Sequence, residues 1–154
     1  MRIIELRLAV PGDASAIGDL VGDAYGPWEA RLGVRPLPMD ADYAEAIRDL
    51  EVWVAEGEGE LAGVIVLGSD AEGYFVDNVA VAPGFQGSGV GRMLLAHAER
   101  EAAAAGFASI YLWTHELMSE NLAIYEARGY VEYNRRSPRP GAPPFLVYLR
   151  KPLS

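Results

Sequence analysis

The chain has 154 residues, 51% of them hydrophobic, which suits one globular domain with a sizeable core. It contains no cysteine, so disulfides, thiolate metal sites and cysteine nucleophiles are excluded. A net charge of −9 argues against a general nucleic-acid binder, which needs a basic face; it serves solubility first and mildly prefers a cationic substrate.

The opening "MRIIELRLAV" is too short and too alternating for the apolar core of a signal peptide. No apolar run reaches the ~20 residues that span a bilayer, so a cytoplasmic protein with no membrane partner is expected. "RIIELRLA" reads as a first strand, and Pro11, Gly12 and Asp13 break it, with Asp13 as a plausible N-cap. Ile17, Leu20, Val21 and Ala24 then recur at helical spacing. "YGPWEARLGVRPLPM" reads as irregular, and a second helix is expected from near Asp40, with Tyr43, Ile47 and Leu50 on one side.

From Glu51 the period changes. "EVWVAE", "LAGVIVLG" and "GYFVDNVAV" are β-branched and aromatic runs parted by "GEGE" and "SDAEG", which predicts a three-stranded antiparallel meander. Val90, Met93, Leu94 and Ala98 mark a long helix closing at Gly106, and "SIYLWTH" is another strand. Ser119 can cap a short helix with Glu120 in its first turn, and Gly129 can end it. "YVEYNRR" and "PFLVYLRK" read as two last strands around "SPRPGAPP". Without a repeat or a long linker, residues 1–154 are expected to form a single α+β domain.

The stretch "VAVAPGFQGSGVGR", Val79 to Arg92, follows a strand and opens a helix, and that context gives its glycines meaning. Helix N-termini leave amide N–H groups without partners, and these bind anions. Glycine lets the backbone approach closely and adopt positive φ. Gly87, Gly89 and Gly91, with Ser88 and Arg92, can therefore wrap a pyrophosphate. A P-loop would want Lys then Ser or Thr where Arg92 and Met93 stand. A dinucleotide fold would want the glycines after the first strand of a parallel unit.

These residues resemble the GNAT-type N-acetyltransferases. The family's acetyl-CoA motif, Q/R-x-x-G-x-G/A, is matched in register by Gln86, Gly89 and Gly91; "DNVAVAP" resembles its fourth strand, "RMLLAHAERE" its third helix, and "YEARGY" its second signature. The resemblance implies a mixed, mostly antiparallel central sheet of about seven strands flanked by about four helices. It implies acetyl transfer from acetyl-CoA, as cosubstrate and without a metal, to a small-molecule or peptide amine. Dimers are frequent in the family, so a homodimer is compatible with it.

Carried over position by position, Val79, Ala80 and Val81 resemble the segment whose backbone binds the pantetheine arm and polarises the acetyl carbonyl. Gln86, Gly87, Ser88, Gly89, Val90, Gly91 and Arg92 resemble the pyrophosphate cradle. Tyr125 matches the tyrosine that protonates the departing thiolate in many members. Asn121, one helical turn earlier, stands in for the asparagine that the commoner pattern places where this chain has Met118.

Some relatives carry a glutamate base at the position of Trp113, so no base transfers, and Asp77, His115, Glu116 or water remain alternatives. His97 reads as a boundary residue and Trp28, Trp53 and Trp113 as packing residues. Tyr25, Trp28 and Glu29 lie where the family's acceptor site usually forms. The last hairpin's Arg135, Arg136 and Arg139 are a solvated loop or an anion contact. The rival reading is a non-catalytic acyl-CoA-binding or sensing module.

Overall fold

A computed structural model describes residues 3–33 and 35–153. The strands are β1 (Ile4–Leu8), β2 (Glu51–Gly57), β3 (Glu60–Asp70), β4 (Gly73–Val81), β5 (Ser109–His115), β6 (Val131–Arg136) and β7 (Leu146–Pro152). The α-helices are α1 (Ala14–Leu32), α2 (Tyr43–Asp49), α3 (Val90–Ala104) and α4 (Ser119–Ala127). All seven strands join one sheet in the order β1-β2-β3-β4-β5-β7-β6. β1–β2, β2–β3, β5–β7 and β6–β7 pair antiparallel, and β4 runs parallel to β5. The expected mixed, mostly antiparallel α+β architecture is therefore present. By contact density the chain divides into two units, one running through Gly68 and including Asp77–Ala98, the other made of Ser69–Val76 and the chain from Glu99.

In the first unit, Ile17, Leu20 and Val21 of α1 and Tyr43 of α2 pack with Val52, Val54, Val64, Val66 and Ala80. Alternate strand residues face this cluster because side chains on a strand change sides at every step. Trp53, out of phase with Val52 and Val54, packs its ring edge on His97 of α3 at 4.2 Å and donates its indole N–H to Glu51 at 2.6 Å. Trp53 is thus a packing residue and His97 lies half-buried at the boundary of α3. Gly63 is where α3 presses closest. A Cβ there would lie 2.9 Å from both Leu94 Cδ1 and Val90 Cγ1, and 3.1 Å from the Ala80 carbonyl oxygen.

Local expectations change at four points. The stretch beginning at Tyr25 is helical: α1 continues through Pro27 to Leu32, and Gly33 ends it at φ 73° with its N–H on the Glu29 carbonyl. Burial of Leu32 at the far end offsets the hydrogen bond that proline cannot donate. Asp13 makes no side-chain cap on α1; its carboxylate accepts from Val10 N–H at 2.8 Å and from the Arg7 guanidinium at 2.8 and 3.0 Å. Ser119 is the first residue of α4 rather than its cap, which is Met118. The second helix begins at Tyr43, and its cap is Asp42, whose carboxylate accepts from Glu45 N–H.

In the second unit, β5 pairs with β7 from Ser109↔Pro152 to His115↔Leu146, and β7 pairs on its far side with β6. Glu99 gathers this unit's charges. Its carboxylate accepts from Arg128 at 2.7 and 3.1 Å, from Tyr130 at 3.1 Å and from Lys151 at 2.9 Å. Burial alone would raise the Glu99 carboxyl, but these donors hold it below the usual range. The Tyr130 ring in turn meets the edge of Tyr125 at 6.0 Å, and its N–H bonds the Tyr125 carbonyl.

Candidate active site

The glycine turn lies in the first unit, between β4 and α3. Gly87 and Gly89 have φ of 79° and 90°, the left-handed region where an L side chain is strained. Nothing lies within 4 Å of a Cβ built at either one, so packing does not explain their smallness. Gln86 to Gly89 are solvent-exposed. The helical ladder begins with Met93 N–H on the Gly89 carbonyl at 3.0 Å, which leaves the amides of Val90, Gly91 and Arg92 ahead of it. Buried Val90 pins the helix end, Arg92 is exposed, and Ser88 is held by a hydroxyl bond to the Phe85 carbonyl. Such a turn presents N–H groups and a guanidinium to an anion.

The adjoining strand is equally specific. Ala82 N–H donates to the Ala62 carbonyl of β3 at 2.8 Å, so by alternation the peptide groups of Val81 and Val79 point away from β3. The parallel ladder to β5 covers Tyr74–Val76 against Ile110–Leu112, short of these two residues. Side chains reach their outward carbonyls: Tyr25 Oη is 2.9 Å from Val79 O, and Gln86 Nε2 is 3.3 Å from Val81 O. The buried side chain of Ala80 belongs to the core.

Behind this edge lies a network that sequence reading missed. Tyr25 Oη also lies 3.0 Å from Asn78 Oδ1, Asn78 Nδ2 donates to Tyr43 Oη at 2.8 Å, and Tyr43 Oη donates to the Pro38 carbonyl at 2.7 Å. Asn78 is only 6% exposed. A buried amide costs free energy unless its groups are bonded, so this one locks α1 and α2 onto β4 beside Val79. A lone amide within the β-branched run "FVDNVAV" was the available signal.

The base candidates separate. Asp77 makes no hydrogen bond or ion pair among the described residues, and burial pushes its carboxyl up. Burial first, then the Asp77 charge, pushes the Tyr43 phenol up. His115 Nδ1 accepts from Leu117 N–H at 3.1 Å, its ring stacks on Phe145 at 4.4 Å, and burial lowers its pKa. It caps a strand end. Glu116 pairs with Arg135 at 2.9 Å on an exposed surface.

In the second unit α4 carries both Asn121 and Tyr125. Tyr125 is 6% exposed, its phenol is pushed up to about 12 by burial, and its hydroxyl has no hydrogen-bond partner among the described residues. Asn121 Nδ2 lies 3.9 Å from Met118 Sδ, and Thr114 Oγ1 lies 3.6 Å from the same sulfur. The asparagine amide thus sits against Met118, the residue that holds the position of the commoner pattern's asparagine. Among the described residues, no three His, Asp or Glu side chains gather as metal ligands, and no helix is long and apolar enough to cross a membrane.

Comparison with known proteins agrees with this geometry. The model of the acetyltransferase (GNAT) family matches residues 19–130. An IAA acetyltransferase of Azospirillum brasilense is 31% identical over 107 residues, covering 68% of this chain and 69% of that protein. A streptothricin acetyltransferase of Streptomyces lavendulae is 29% identical over 152 residues, covering 82% of this chain and 80% of that protein. The same fold occurs in the paia N-acetyltransferase of Thermoplasma acidophilum, solved in complex with coenzyme A. Its TM-score is 0.80 at 17% identity, over 97% of this chain and 99% of that one. With the family model spanning most of its length and its sheet following the same plan, this chain belongs to the GNAT acetyltransferase family and is an acyltransferase.

Proposed function

We propose that the whole chain acts as one N-acetyltransferase domain, moving acetyl from acetyl-CoA to a primary amine by direct attack. The observation that carries this reading is the exposed turn at Gly87 and Gly89, with positive φ, open space and unladdered amides at the start of α3. Residues 86–92 would hold the pyrophosphate with backbone N–H groups and the Arg92 charge. The outward peptide groups of Val79 and Val81 would pair with the pantetheine arm as a neighbouring strand does.

Acetyl-CoA supplies an activated thioester carbonyl. An outward amide of the 79–81 segment donates to the carbonyl oxygen as charge develops there, a contribution on the order of 3 kcal/mol per aimed donor. The amine forms the new N–C bond, the C–S bond breaks, and Tyr125 hands a proton to the departing sulfur and is reprotonated by the proton that the attacking nitrogen sheds as it becomes an amide. Asn121 supports the cofactor from the same helix. The proton lost by the ammonium passes to Asp77 or to water, since His115 and Glu116 are engaged in other bonds.

Calorimetry with acetyl-CoA and a thiol-release assay against an amine panel test the reading together. Saturable binding plus amine-dependent thiol release is the expected result. Binding without release from any amine would favour an acyl-CoA-binding module. No affinity for coenzyme A or its acyl forms would overturn both.

A further inference from the structure

The second unit carries a sheet face made of aromatic rings, and its composition points to the kind of acceptor it would take. Trp113 lies 5.6 Å from Phe75 and 5.5 Å from Tyr148, the latter stacked at 23°, and 6.0 Å from Tyr111. Tyr111, on the same face two residues before Trp113, is 2% exposed and has its hydroxyl on Asp70 at 2.7 Å. Phe75, Trp113 and Tyr148 are only half-buried, so parts of all three rings meet solvent. Arg136 lies 4.2 Å over the Tyr148 ring, fixed by a two-pronged bond to Glu72 at 2.9 and 2.7 Å. That arrangement immobilises the platform at one end and leaves Trp113 and Phe75 at the other.

The two sheet tryptophans differ in one respect. Trp53 spends its indole N–H on Glu51, whereas Trp113 donates to no protein group among the described residues. A half-buried indole inside a rigid set of rings is suited to a planar partner, and its N–H is left to water. Phe75 also belongs to β4, the strand whose next residues carry the outward amides.

We propose that Trp113, with Phe75 and Tyr148, is the specificity surface for the acceptor, and that it selects a primary amine borne on a flat aromatic body. This rests on the acetyltransferase reading above. Arg136 already covers Tyr148 and Arg150 lies 5.3 Å over Tyr111, so Trp113 and Phe75 are the rings left to bury the amine's apolar body and attract its ammonium. A polyamine or a plain alkylamine gains less from rings than an arylalkylamine of similar length.

The test uses the full chain, saturating acetyl-CoA, and phenethylamine, tryptamine, n-hexylamine and spermidine as probes in the thiol-release assay. The wild type is expected to favour the two arylalkylamines by roughly tenfold in kcat/KM, the scale of one buried ring. Trp113→Leu raises their KM roughly tenfold with the KM for acetyl-CoA unchanged, a split that a merely structural role would not produce. Trp113→Phe retains most of the preference, and Phe75→Leu serves if Trp113→Leu does not fold. A wild type that prefers spermidine or n-hexylamine overturns the proposal, as does an unchanged phenethylamine KM in the variants. If no amine releases thiol, the acetyltransferase reading fails by itself. Phenethylamine binding by calorimetry, lost in Trp113→Leu, would then still support the platform, and absence of that binding would remove it.

Discussion

Replacing Tyr125 by Phe isolates the step in which sulfur leaves. Burial pushes this phenol up to about 12, against about 8.5 for a thiol. Complete proton transfer to a free thiolate is thus uphill by about 3.5 units, or about 5 kcal/mol. The hydroxyl must therefore act through a strong hydrogen bond and partial transfer as the C–S bond stretches, which sets its value below the upper range for general acids. A fall of about 10- to 100-fold in kcat is expected, equivalent to about 1.4 to 2.8 kcal/mol. Because the hydroxyl has no protein partner among the described residues, its removal should leave the unfolding midpoint unchanged or slightly higher. The raised phenol also stays protonated across neutral pH, so no loss of rate from Tyr125 should appear until strongly alkaline conditions. The assay is thiol release at saturating acetyl-CoA, with calorimetric Kd for acetyl-CoA alongside. An unchanged kcat refutes the acid role. A Kd that weakens by the same factor makes Tyr125 a binding residue instead.

Gly91→Ala separates fold from cradle: its Cβ would meet only Val81 Cγ2, at an ordinary 3.5 Å. Thermal melting should show about 0.5–1 kcal/mol of added stability from a helical alanine, while calorimetry shows coenzyme A affinity reduced tenfold or more, about 1.4 kcal/mol. Gly63→Ala should weaken the cradle through the fold instead. Its Cβ would strike Leu94, Val90 and the Ala80 carbonyl, costing about 1–3 kcal/mol in urea unfolding and displacing the start of α3, with weaker coenzyme A binding. Glu99→Gln should cost about 2–3 kcal/mol by leaving Arg128 and Lys151 without their shared carboxylate. Since the folded Glu99 carboxyl lies below its unfolded value, its stabilisation is present above about pH 4.3 and is lost as pH falls further. The acid limb of a stability profile should therefore flatten in the variant.

The glycine turn was legible because its constraint is local. Gly87 and Gly89 need positive φ, few other residues supply it cheaply, and the flanking strand and helix are adjacent in the chain. The strand pattern was legible for the same reason, since alternation is written within each segment. What failed were features decided by tertiary partners. The stretch from Tyr25 reads as irregular, yet α1 passes through Pro27 because residues on both sides are anchored in the core. Asp13 holds the N-cap position of α1, yet an arginine across the turn claims its carboxylate in place of a helix amide. Asn78 gave one faint sign, its polarity, but its partners Tyr25 and Tyr43 lie 53 and 35 positions away.

The same distinction explains why the cofactor half of the proposed site can be argued further than the acceptor half. A pyrophosphate is recognised by backbone, and backbone geometry follows from glycine placement over a few residues. An acceptor is recognised by side chains contributed from separate strands, and their juxtaposition depends on register. Phe75 faces Tyr111 only because β4 pairs with β5 as Phe75↔Tyr111, and Trp113 meets Tyr148 only because β5 pairs with β7 as Trp113↔Tyr148. A shift of one residue in either ladder would turn these rings to the other face of the sheet. Trp113, read alone, is a packing residue; read with its register partners Phe75 and Tyr148, it becomes one side of a part-exposed surface of rings that a flat ligand fits.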